Sequence, residues 1–291
     1  MKLTEVIEQY LLSKTGNADG GEDRLVVGPN FYGVVDGATD KTGNNWGNAE
    51  TPRKGGTVLA DIAKKVLEDP NTPTKPDAIV EIINKDIAIV AQRAGIDLSI
   101  VNNRADVGFA VYVPLERAVY HINDCSFGFV NQNGLFEMHK KDKAVDKLTA
   151  NIRATVIKWY EAQGYNPFEK EDKGREFIME LLKRQPEIQN HGFDNTSLWV
   201  GGIPCCLVSY KTLNGLPTTL DITPVPLDTV EVIIASDGFA TIMPTLNDTL
   251  AILEKHLKQD PHCIDILKST KGYNNRQKSY DDMSYLRIMT A

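Results

Sequence analysis

The sequence predicts an α+β fold in which antiparallel sheets carry helices on their outer faces. Three observations point there. Strand-like runs occur in clusters instead of alternating with helices, helical runs occur in pairs, and the central strand cluster is joined by short turns. Residues 25–36, LVVGPNFYGVVD, read as two short β runs around a Gly-Pro-Asn turn. Residues 37–52 are rich in Gly, Asn, Thr and Asp and read as a loop. Residues 53–68 have helical spacing, with Val58, Ile62 and Val66 on one side, and Asp69-Pro70 closes that helix. A second helix is expected over about 77–94, with Ile79, Ile83, Ile87 and Val90 inward.

The period then changes. VGFAVYVP (107–114), AVYHIN (118–123) and FGFVNQ (127–132) read as an antiparallel meander. Residues 146–185 return to helical spacing, in two pieces broken at 164–173. Strands are expected at 218–225 and 229–236, helices at 245–258 and 261–269, and a last strand at 283–289. The amphipathic start of the chain, with Glu5 and Glu8, is left without a strand or helix assignment. It lacks the apolar core and cleavage site of a signal peptide. No linker divides the chain, so residues 1–291 are expected to form a single domain.

Composition narrows the function. Of 291 residues, 42% are apolar, enough for a substantial core. Lys plus Arg number 32 and Asp plus Glu 39, a net charge of −7, which argues against nonspecific binding to nucleic acid or anionic membrane. No stretch approaches the 18 or so apolar residues of a membrane span. Four cysteines, two of them adjacent at Cys205-Cys206, make no disulfide scaffold and no zinc spacing; reduced thiols and a cytoplasmic location are expected, with Cys205 and Cys206 in the core. The sequons at Asn195 and Asn247 carry no weight in such a chain. The five histidines form no metal-binding pattern, and neither a P-loop, a dinucleotide fingerprint nor a serine-hydrolase elbow is present.

Four acidic sites share one context. Glu22-Asp23 precede a strand, Asp36-Gly37 follow one, Asp237-Gly238 follow another, and Asp281-Asp282 precede the last. Any one of them alone reads as an ordinary turn. Together, carboxylates at strand ends converge on one sheet edge, where they repel unless a cation neutralises them. Hard oxygen donors suit Mg²⁺ or Mn²⁺.

The runs GEDRLVV (21–27), FYGVVDG (31–37), VEVIIASDGF (230–239) and YDDMSYLRI (280–288) resemble, in that order, motifs of the metal-dependent PP2C (PPM) serine/threonine phosphatases. Asn123-Asp124-Cys125-Ser126 stands where that family's central hairpin carries Gly-Asp-Ser-Arg. The resemblance implies a four-layer α-β-β-α sandwich of two antiparallel sheets flanked by helices, with two Mg²⁺ or Mn²⁺ ions at one end. Residue by residue, Asp36 matches the carboxylate that bridges both metals and orients the nucleophilic water. The Gly37 carbonyl matches a ligand of the first ion, Asp237 and Asp281 ligands of the second, and Glu22 and Asp23 the acidic pair around the metal waters. The implied activity is hydrolysis of phospho-Ser and phospho-Thr in proteins through a metal-activated bridging water, with a phosphorylated protein as partner. Two alternatives stand beside it: a catalytically weak phosphoprotein-binding or scaffold member, and a small-molecule phosphatase using the same centre.

The match departs in places. The Arg that many members carry before the acidic pair is missing, leaving Lys14 and Arg24 as unaligned candidates for the phosphate. Ala38 stands where some members have His, and Asp282 where the family has Asn. A third metal is left open, with Asn102, Asn103 and Asp106 near the expected position.

Overall fold

The computed structural model describes residues 4–16, 21–190, 199–200, 203–204, 210–273 and 277–290. Two five-stranded sheets form its centre, with every strand pair antiparallel. The first has the order β10 (Asp221–Pro224), β5 (Ala118–Ile122), β4 (Asp106–Val113), β3 (Tyr32–Ala38), β2 (Asp23–Val27). The second has the order β1 (Glu5–Leu12), β12 (Met283–Met289), β11 (Thr229–Ala235), β6 (Ser126–Asn131), β7 (Phe136–His139). A short ribbon pairs β8 (Trp199–Val200) with β9 (Ile203–Pro204).

Period-2 alternation sorts the core into layers. Val34, Ala110, Tyr112, Val119, Phe127, Val232, Ile234, Leu286 and Ile288 pack between the sheets. Their alternates on β3 and β4, including Val35, Phe109 and Val111, face α1 (Gly55–Glu68) and α2 (Pro76–Arg93). Ile233 and Tyr285 face the other way, toward Leu250 and Leu253 of α5 (Leu246–Gln259) and the buried Phe239 and Ile242. The result is the α-β-β-α sandwich expected from the sequence. Helices α3 (Ala144–Ala162) and α4 (Lys173–Arg184) pack on each other at the end of the sandwich.

Three segments differ from the sequence reading. β1 is a strand in regular alternation, with Glu8 on the half-buried side beside Val6, Tyr10 and Leu12, where Arg287 NH1 reaches it at 3.1 Å. Its pairing register with β12 shifts between Val6 and Glu8. β7 follows a turn at Gly134, φ +76°, held by Asn131 Oδ1 accepting from the amides of Asn133 and Leu135.

Residues 261–269 are not a helix. The Asp260 carboxylate accepts from the backbone amides of Ile264, Asp265, Ile266 and Leu267 at 2.7–3.2 Å. In a helix those amides would point to carbonyls four residues back. The buried Arg153 takes three nearby carbonyls, those of His262, Cys263 and Ser269. The segment is therefore wrapped around one anion and bolted to α3 by one cation. Cys205, Cys206 and Asn195 lie outside the described residues; Cys125 and Cys263 are buried free thiols.

Candidate metal centre

Antiparallel pairing puts the end of one strand beside the start of the next. Asp23 starts β2 directly opposite Asp36 near the end of β3. Asp237 lies just past β11, Asp281 and Asp282 just before β12, and Asp124 in the turn from β5 to β6. All therefore meet at one edge of the sandwich, on a cleft of about 1500 Å³.

Carboxylate oxygens of Asp36, Asp124 and Asp237 lie within 4.8 Å of one another. Asp36 and Asp237 open onto the cleft, while Asp124 is buried. Protein nevertheless surrounds all three on most sides, and burial raises each carboxyl above its ordinary range. Mutual repulsion adds to it: Asp237 and Asp23 push Asp36 well up, and Asp124 and Asp281 help push Asp237 to about 6. Such a trio of hard oxygens fits a divalent cation, which would relieve the repulsion.

The D-G turn is built by close approach. A Cβ on Gly37 would lie 2.2 Å from the Gly56 carbonyl oxygen, and one on Gly56 2.6 Å from Glu22 Oε1. The start of α1 can thus lie against the turn, and the Gly37 amide donates to the Glu22 carbonyl at 3.1 Å. Thr39 Oγ1 donates to the Glu22 carboxylate.

Asp23 sits beneath the cleft. Its side chain accepts from Ser284 Oγ at 2.8 Å. Burial, with the charges of Asp237 and Asp282, pushes it up to about 8 against the opposing hydroxyl bonds of Ser236 and Ser284. Asp282 serves the backbone: its carboxylate accepts from the amides of Lys14 at 2.8 Å and Glu22 at 2.9 Å. Asp281 pairs with Lys271 and lies 3.5 Å from Lys14 Nζ. Although burial works against it, these two ammoniums hold its carboxyl below the ordinary range.

The candidate phosphate cations separate. Lys14 lines the cleft. Arg24 does not: its Nε donates to Asp61 at 2.6 Å, and its NH1 to the carbonyls of Gly21 and Asp23 at 2.9 and 2.6 Å. Asp106 is buried behind the cleft, accepting from Asn123, Thr212 and Gln189 at 2.6–3.2 Å. Asn102 and Asn103 lie on a 3₁₀ turn, with Asn103 bonded to Asn44 and the Asp97 carbonyl.

Sequence reasoning missed Asp124 as a site residue and every cleft cation except Lys14. Asp124 carried a signal, since an acid in the turn from 118–123 to 127–132 must fall at the same edge as Asp36. Lys143 Nζ lies 3.2 Å from Asp124 and 5.0 Å from the Tyr210 ring centre. Burial disfavours its charge, yet Asp124 and Asp146 hold it well above its ordinary value. Lys41, Lys271 and Arg175 also line the cleft. Each comes from a segment whose local sequence gives no sign of it.

No family model matches the chain, and no curated protein matches it significantly. Solved structures similar to it include a bacterial serine phosphatase, 12% identical, TM-score 0.46, over 99% of this chain and 98% of that one. The serine/threonine phosphatase PstP of Mycobacterium tuberculosis is 13% identical, TM-score 0.45, over 98% of each chain. The serine/threonine phosphatase Stp1 of Staphylococcus aureus is 12% identical, TM-score 0.45, over 100% of this chain and 98% of that one.

Proposed function

We propose that this chain is a divalent-metal-dependent phosphomonoester hydrolase acting on phospho-Ser and phospho-Thr in proteins. The observation that carries the reading is the meeting of Asp36, Asp124 and Asp237 at the floor of a cleft lined by Lys14, Lys41, Lys143, Arg175 and Lys271. Carboxylates select a Mg²⁺- or Mn²⁺-like ion, and the cations around them favour a phosphoryl dianion.

Asp36, Asp124 and Asp237 would hold the ion, with the Gly37 carbonyl beside Asp36 as a further donor. When bound, such an ion makes water acidic enough to yield hydroxide near neutral pH and offsets charge on the phosphoryl oxygens. Lys143 opposes the burial that raises the Asp124 carboxyl and holds it in place. Asp23, hydrogen-bonded to Ser284, supports Asp36 from the facing strand. Glu22, fixed by Thr39 and the amide of Gly37, presents its carboxylate to the same space.

Cys125 is no candidate nucleophile. Burial, then the charges of Asp36 and Asp124, push its thiol well above its ordinary value. Attack by water is left as the route these residues support. The cleft exceeds the size typical of small-ligand pockets, which supports a phosphorylated side chain presented by a polypeptide.

β1 pairs with β12, which ties the two ends of the chain into one sheet and supports reading residues 1–291 as one catalytic unit. The two buried free thiols suit a reducing compartment, so we place its signalling role in the cytoplasm. Among the described residues no helix is long and apolar enough to cross a membrane.

Phosphate release from phosphoserine and phosphothreonine peptides, with Mn²⁺, Mg²⁺ or EDTA, tests the reading. Metal-dependent release is expected. Release from small esters with none from peptides would shift the substrate to small molecules. No release from either would remove the catalytic reading.

A further inference from the structure

The resemblance asks for two divalent ions, yet the two groups of carboxylates at this edge are compensated differently. Lys14 Nζ lies 3.6 Å from Glu22 Oε2, 3.5 Å from Asp281 Oδ1 and 3.5 Å from Asp282 Oδ2. One ammonium thus sits almost equally far from three carboxylates belonging to two separate chain segments. It is no roaming surface group. Its own amide donates to Asp282 at 2.8 Å, and its carbonyl accepts from the Lys278 amide at 2.8 Å. Burial disfavours its charge, but Asp281, Asp282 and Glu22 more than offset that and raise it above the ordinary lysine value.

Lys271 supplies a second ammonium to Asp281. Three carboxylates here face two fixed positive charges. At the other group, Asp36, Asp124 and Asp237, with Asp23 opposite Asp36, face one, on Lys143, so the larger excess of negative charge lies there. A divalent ion belongs at that group. The substitutions agree: Asp282 adds a carboxylate where the resemblance has Asn, and Lys14 is within reach of it.

We propose that Lys14 takes the place of a second divalent ion. The chain binds one such ion, at Asp36, Asp124 and Asp237, and the Lys14 ammonium neutralises Glu22, Asp281 and Asp282. This rests on the metal-dependent reading above. Asp281 is then a partner of lysines and not a metal ligand.

The test counts ions. Metal-free full-length protein is titrated with Mn²⁺, and free Mn²⁺ is followed by its electron paramagnetic resonance signal, with folding checked by circular dichroism. Wild type is expected to bind one Mn²⁺ per chain. Lys14→Met is expected to bind two, because three carboxylates are left facing Lys271 alone, and Lys14→Arg to stay at one. Should Lys14→Met fail to fold, Asp281→Asn decides: the one-ion site should keep its affinity within about twofold, and a loss beyond about tenfold would overturn the proposal. Two Mn²⁺ of similar affinity in wild type would also overturn it while leaving the metal-dependent reading intact. No bound Mn²⁺ at all would overturn both.

Discussion

Asp23 and Asp36 lie directly opposite each other on neighbouring antiparallel strands, two carboxyl groups in a position where like charges destabilise a sheet. The pair is tolerable when a proton or a cation intervenes. Burial pushes Asp23 up to about 8, and Asp36 is raised well above the carboxylate range by burial, Asp237 and Asp23.

A pH dependence of stability follows for the metal-free protein. The unfolded chain releases the Asp23 proton near pH 4, whereas the folded chain holds it until about 8. Its contribution is fully present below about pH 4 and is lost as pH rises toward 8. In EDTA, the melting temperature should therefore be higher at pH 5 than at pH 8. Asp23→Asn should shrink that difference, because the amide cannot ionise. An unchanged difference in Asp23→Asn would assign the effect to other groups.

Removing a metal carboxylate should separate stability from activity. Asp36→Asn and Asp237→Asn each relieve repulsion in the metal-free site, so their melting temperature in EDTA should hold or rise. Saturating Mn²⁺ should stabilise wild type by about 2.7 kcal/mol at a hundredfold excess over Kd, and these variants far less. Turnover should fall below detection in both. Wild-type turnover in either variant at ordinary Mn²⁺ would remove that residue from the centre.

Asp124 should matter as much as Asp36. Asp124→Asn removes one of three oxygen donors and the close partner of Lys143, which keeps Asp146. Mn²⁺ affinity should fall by at least about tenfold, with destabilisation of about 1.5–3 kcal/mol in the metal-free state. Calorimetric titration and thermal melting read the two effects. Unchanged affinity would show that Asp124 holds only Lys143.

These two kinds of residue differ in how visible they are in the sequence. Asp36 and Asp237 are announced by strands that end in Asp-Gly, because an antiparallel sheet carries such ends to a common edge. Asp124 was within reach of the same logic. β3, β4 and β11 were equally legible as strands, since each is a short apolar, β-branched run, although such runs do not tell one face from the other. β1 was not, because its half-buried face carries a charge, Glu8, among Val6, Tyr10 and Leu12, and only Arg287 of the distant β12 accounts for it. The segment after Asp260 misled for a different reason. Its helical spacing is real, but four amides bound to one carboxylate and three carbonyls bound to Arg153 outweigh propensity. Lys143 and Lys271 reach the cleft only through such tertiary contacts.

Arg153 should therefore act on the wall that carries Lys271. Its guanidinium donates to Asp172 through Nε at 2.9 Å and NH2 at 2.6 Å, as well as to the three carbonyls. Arg153→Met removes a donor from the His262 and Ser269 carbonyls and leaves Asp172 and the Cys263 carbonyl with only the amides of Arg175 and Ser269, and it should cost about 1.5–3 kcal/mol. Chemical denaturation measures the loss; a change within 0.5 kcal/mol, the ordinary scatter of surface substitutions, would show the bolt to be dispensable.

The central claim is hydrolysis of a phosphomonoester by water at a metal-dependent carboxylate centre. Phosphate release from a phosphothreonine peptide by a variant with all four cysteines changed to Ser, measured with Mn²⁺ and then with excess EDTA, tests it most directly. The account predicts turnover near the wild-type rate with Mn²⁺ and none with EDTA. Undiminished release in EDTA after confirmed metal removal, or loss of release in the folded cysteine-free variant, would contradict it.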